Sequence, residues 1–129
     1  MKRLAKVVMM AALVGFAFNA HAYDVLDKVK MAQQECAHKA EMYELRFANG
    51  LGYMEMFFNA ACEYKAVIPL FKKAGLDKQP EVKKYMQNAE RHYNELKEEL
   101  NGPELEEGAR ALEMGELMGY NIHNRVKNL

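Results

Sequence analysis

"CAHKAEMYELRFANGLGYMEMFFNAAC", residues 36–62, begins and ends on the only two cysteines of the chain and carries Asn49-Gly50 at its centre. Cys36 and Cys62 stand at equal distances along the chain on either side of Asn49. Asparagine and glycine both tolerate the left-handed backbone that ends a helix, so the pair reads as a tight turn between two helices. Antiparallel helices joined there place Cys36 and Cys62 at the same height. The same mirror line pairs Ala40 with Phe58, Ala32 with Ala66 and Phe47 with Leu51.

Outward from this hairpin, apolar residues recur every three or four positions, the period of one buried helix face. A first helix is expected from about Asp24 to Ala48, with Asp24 as its N-cap and Val25, Val29, Ala32, Cys36, Ala40, Tyr43 and Phe47 as its stripe. A second should cover Leu51 to Lys73, with Pro69 loosening its last turn and Ala74-Gly75 ending it. A third should open on Pro80, a residue suited to the first helical position, and run to Leu100 with Val82, Tyr85, Met86, Ala89, Tyr93, Leu96 and Leu100 inward. "NGP" at 101–103 breaks the chain again. A fourth should run from Pro103 to Lys127 on Leu105, Gly108, Leu112, Gly115, Gly119, Ile122 and Val126. Four amphipathic helices with short connections describe an all-α, up-down-up-down four-helix bundle. Two stacked hairpins without a closed bundle are the alternative.

The stretch from Met1 to Ala22 reads differently. Lys2, Arg3 and Lys6 form a basic head, "VVMMAALVGFAF" an apolar run, and Ala20-His21-Ala22 a small-x-small end. That combination is a secretory signal peptide, cleaved after Ala22, and it implies export to the periplasm. The remainder, 23–129, then forms a single helical-bundle domain. Fifteen cations and eighteen acids remain after the leader, a net charge of about −3, with no strongly basic run to suggest nucleic acid. No later segment is apolar over a membrane-spanning length.

An oxidising compartment, an even cysteine count and matched heights point to a Cys36–Cys62 disulfide. The pair lacks the C-x-x-C spacing of redox-active thiols. Serine and threonine are absent from the whole chain, so no hydroxyl nucleophile of those types exists, and no enzyme is expected. His38 and Met42 stand one turn apart on a second stripe of helix 1 with Met31, Glu35 and Leu45, and imidazole with thioether is a donor set that suits copper. His123 borders the apolar face of helix 4, one turn beyond Gly119 and two beyond Gly115. Glycine is costly within a helix, by about 1 kcal/mol each against alanine. The two glycines therefore make room either for a neighbouring helix or for a flat cofactor.

"PEVKKY" at 80–85, "NG" at 101–102 and "GYNIHNRVK" at 119–127, with the leader and the late histidine, resemble the small periplasmic b-type cytochromes of the four-helix-bundle class. That resemblance implies haem b held by Met31 and His123, with Gly115 and Gly119 beside the ring, and an electron-carrier function. The chain departs from the family in a longer helix 1, a shorter helix 3 and the cysteine pair. Read from its residues alone, the chain is a periplasmic binding module for an unidentified protein partner.

Overall fold

The structure, a computed structural model, describes residues 20–47, 52–100 and 106–129, with side chains from Tyr23 onwards. The four helices are α1 (Ala20–Phe47), α2 (Tyr53–Lys73), α3 (Pro80–Glu99) and α4 (Glu106–Val126). The fold is an all-α four-helix bundle. The basic head and apolar run of the leader, the Asn49-Gly50 turn, the "NGP" break and Leu105 lie outside the described residues.

α1 begins earlier than the sequence suggests. Asp24 is therefore an interior residue that pairs with Lys28 one turn on, at 3.6 Å, rather than an N-cap. Alanine at 20 and 22 carries no helix-breaking signal, so nothing local stops the helix at 24. Phe47, assigned to the inward stripe, is exposed and stacks obliquely on Tyr43 at 5.0 Å. It is the last residue of its helix, where the stripe has run past the core.

α2 ends as its sequence indicates. Gly75 takes φ +75°, Gly75 N–H bonds to Lys72 O, and Leu76 N–H bonds to Phe71 O at 3.0 Å. Leu76 folds back into the core, which completes a Schellman cap. Pro80 opens α3 at its first position. The start of α2 is served from another helix. Gly52 offers no side-chain cap, and the buried carboxylate of Glu44 on α1 accepts the Glu55 N–H at 3.0 Å. An anion at a helix N-terminus is favoured by the free N–H groups there.

α2 is the axis of the bundle. It packs on α1, on α3 and, most extensively, on α4, whereas the α3 and α4 backbones stand further apart and meet through side chains, with Tyr93 hydrogen-bonded to Glu116. The closest pair is thus a diagonal one, and it runs parallel. Gly115 lies over Phe58, Gly119 over Cys62, and His123 over Ala66, each step advancing one turn on both helices. Antiparallel neighbours complete the order. Cys36 meets Cys62 between α1 and α2, Tyr85 meets Phe71 between α3 and α2, and Lys28 Nζ donates to Lys127 O between α1 and α4. The larger core cluster contains Val29, Ala32, Cys36, Cys62, Val67, Phe71, Val82 and Ile122, all nearly or fully buried. Every buried apolar residue among those described lies between Val25 and Val126. Among the described residues no helix is long and apolar enough to cross a membrane.

Candidate functional site

The cysteines meet as their spacing requires. Cys36 and Cys62 form a disulfide with Cα atoms 5.7 Å apart, and both residues are fully buried. Buried between α1 and α2, the bridge has the placement of a staple, shielded from solvent in the folded protein.

Gly115 and Gly119 face the α2 backbone. A Cβ on Gly115 would collide with the Phe58 carbonyl oxygen and come within 2.9 Å of Phe58 Cα. One on Gly119 would collide with the Cys62 carbonyl oxygen and come within 2.9 Å of Lys65 Cβ. These glycines let two helix backbones touch, the geometry that carries Cα–H···O contacts between helices. Gly108 extends the same face, and a methyl group there would press against the Leu100 and Phe57 side chains.

His123 follows on that face. A carbonyl oxygen only accepts, so its Nδ1–H donates to Ala66 O at 3.3 Å, which leaves Nε2 with the lone pair. Pro69 lies one turn further along α2 and removes the N–H that Lys65 O would receive within the helix. Burial lowers the His123 pKa below the ordinary 6.5; the Ala66 bond opposes this, and the nearby Lys127 and Lys73 reinforce it. In the folded protein the ring resists a proton that the unfolded chain accepts, so the unfolded state binds more protons just below 6.5. Stability is therefore present above that pH and lost as pH falls through it. Thermal melts from about pH 7.5 to about pH 5 should show a falling Tm, and His123→Gln should flatten part of that slope. An unchanged slope in the variant would mean that His123 is not the group responsible.

Met31 is exposed on the outer flank of α1, whereas His123 turns into α2. The space that a haem would need beside Gly115 and Gly119 holds the α2 backbone. Gly115 and Gly119 thus serve the α2–α4 contact in this packing, with His123 one turn beyond them and Met31 on α1. His38 and Met42 are also exposed, one turn apart on the same outer flank. Among the described residues no group of three or more His, Cys, Asp or Glu side chains is gathered to hold a metal.

That flank carries Met31, Met42 and Leu45 among the polar Lys28, Glu35 and His38. Met31, His38, Met42 and Leu45 follow one another at helical spacing, all exposed, with Leu45 at 69%. Lys28 and Glu35, one heptad apart, contact Lys127 and Arg125 of α4. The next heptad position is Met42, so this edge of α1 borders α4. Met114, Leu117 and Tyr120 are exposed on the outer surface of α4, each about one turn from the next.

A polar cluster with no signature in the sequence lies between α1, α2 and α3. Gln33 Nε2 donates to Tyr85 Oη at 3.1 Å, Tyr85 Oη–H donates to Glu63 at 3.5 Å, and Asn59 Nδ2 donates to the other Glu63 oxygen at 3.1 Å. Gln33 Oε1 and Asn59 Oδ1 are buried without a partner. Burial, then the Glu63 carboxylate, holds the Tyr85 hydroxyl well above its usual pKa, so it stays a neutral donor. Tyr85→Phe should cost about 1–3 kcal/mol in urea unfolding, because it strands Gln33 and removes a donor from Glu63. A loss below about 0.5 kcal/mol would show the network to be dispensable.

Comparison of the chain with protein-family models, with characterised proteins and with solved structures finds no match.

Proposed function

We propose that this protein is an exported, periplasmic helical-bundle module that works by binding a protein partner rather than by catalysis. The observation that carries this reading is the apolar outer surface of α1 and α4. Met31 (45% exposed), Met42 (52%) and Leu45 (69%) on α1 and Met114 (41%) and Leu117 (56%) on α4 present large side chains to solvent. Large apolar side chains exposed near one another on a small domain have a cost in solubility and mark an interaction site. Methionine dominates it, and unbranched thioether side chains adapt to a partner's contour. The leader and the disulfide support an oxidising compartment as the place of action.

The competing reading is a haem-b electron carrier. One observation favours it: the bond from His123 Nδ1 to Ala66 O orients the ring and leaves Nε2 available, as for many metal-binding histidines.

Photocrosslinking in cells separates an interaction surface from an inert one. A photoreactive residue replacing Met42 or Leu117 should give a discrete higher-mass adduct, and one at the exposed Asn94 of α3 should not. Equal labelling at all three positions, or none, would overturn the assignment of the surface.

A further inference from the structure

The order of the helices gathers the cations of the chain at one end of the bundle. The start of α1, the end of α2, the start of α3 and the end of α4 meet there, as the bond from Lys28 to Lys127 O and the shared core of Val25, Phe71, Val82 and Val126 show. This end carries Lys28, Lys30, Lys72, Lys73, Lys78, Lys83, Lys84, Arg125 and Lys127 against Asp24, Asp27, Asp77, Glu81 and Glu35, the ion-pair partner of Arg125, nine against five. The rest of the chain from Tyr23 carries six cations against thirteen acids. A domain of nearly neutral composition is thus polarised along its axis, near +4 at one end and −7 over the remainder.

Helix dipoles account for part of this. Lys72, Lys73, Arg125 and Lys127 sit at helix C-termini, where a cation is favoured. They do not account for Lys83 and Lys84, at the fourth and fifth positions of α3, or for Lys78 just before it. All three are exposed. Two large apolar residues stand at the same end, Tyr23 at 52% and Leu129 at 65% exposed. In the sequence the apolar run of the leader stops at Phe18, just before α1 begins at Ala20.

We infer that the lysine-rich end of the bundle docks on an anionic phospholipid surface. Clustered Lys and Arg side chains are drawn to anionic headgroups, and an amphipathic tyrosine beside them suits the interface. The acidic remainder points away from such a surface and keeps the bundle upright on it. This inference is independent of the apolar face of α1 and α4, which stays open to a partner in that orientation.

Vesicle co-sedimentation tests it. The probes are vesicles of phosphatidylglycerol and phosphatidylcholine, mixed one part to two, and vesicles of phosphatidylcholine alone. The protein is the full chain and, in parallel, the chain from Tyr23, which contains both core clusters and the disulfide. Binding should prefer the anionic vesicles and weaken steeply between about 0.05 and about 0.5 M salt, as the screening length shortens. The triple variant Lys78→Glu, Lys83→Glu, Lys84→Glu should lose at least about tenfold of that preference. A control of equal charge change away from this end, Lys39→Glu, Arg46→Glu, Arg91→Glu, should stay within about twofold. Replacing Lys78, Lys83 and Lys84 by glutamine should give an intermediate loss, and unchanged melts would exclude misfolding. No anionic preference, or equal losses in both triple variants, would overturn the inference. Competition by inorganic phosphate at constant ionic strength, removing all binding, would overturn it in favour of a free-anion site.

Discussion

Gly115→Ala is expected to destabilise the protein by roughly 2 kcal/mol or more, the opposite of what the same change does in an exposed helix. Alanine is the better helix former by about 1 kcal/mol, so a glycine of no structural consequence would give a gain. At Gly115 the new methyl group meets the Phe58 carbonyl oxygen, which is backbone and cannot rotate aside. α4 must then lift from α2 along the closest contact in the bundle, and overpacking of this kind typically costs about 1–3 kcal/mol or more. Gly119→Ala should behave alike against Cys62. The two changes share one helix contact, so the double variant should not be additive. Urea unfolding reads the result, and a stabilised Gly115→Ala would mean that α2 and α4 stand further apart than this packing places them.

Removing the Cys36–Cys62 bridge should have the largest effect. The disulfide closes a segment with a sequence separation of 26 residues. In the chain-entropy model a loop of that length contributes about 3.5 kcal/mol by restricting the unfolded chain. Cys36→Ala with Cys62→Ala should lower stability by about that amount, a large part of the roughly 5–15 kcal/mol typical of a domain. Reduction of the wild-type protein should match the double variant closely. Alkylation of unreduced, denatured protein should label neither cysteine. Labelling of both would contradict the bridge.

Much of this architecture is legible from one hairpin. The mirror placement of Cys36 and Cys62 about Asn49 contains the antiparallel pairing, the register and the disulfide, because helical rise is the same on both arms. Gly75 and Pro80 mark their helix ends through backbone angles that few other residues adopt or fix. Polar residues inside the core are hidden from such a reading. Gln33, Glu44 and Asn59 have no periodic signature, and each is set by a partner that periodicity does not reveal. The glycines are half legible. Gly115 and Gly119 state that something approaches α4 closely, and only the diagonal contact with α2 shows what it is. The charged end is invisible for a related reason. Its lysines are scattered from 28 to 127 and become neighbours only when alternate helix ends come together.

An absorbance titration of the oxidised wild-type protein with hemin tests most directly the claim that α2 backbone, rather than a cofactor, fills the space beside Gly115 and Gly119. This packing predicts no saturable binding and no sharp Soret shift. A one-to-one titration with a low-spin Soret band that His123→Ala abolishes would contradict it and make the protein a haem carrier.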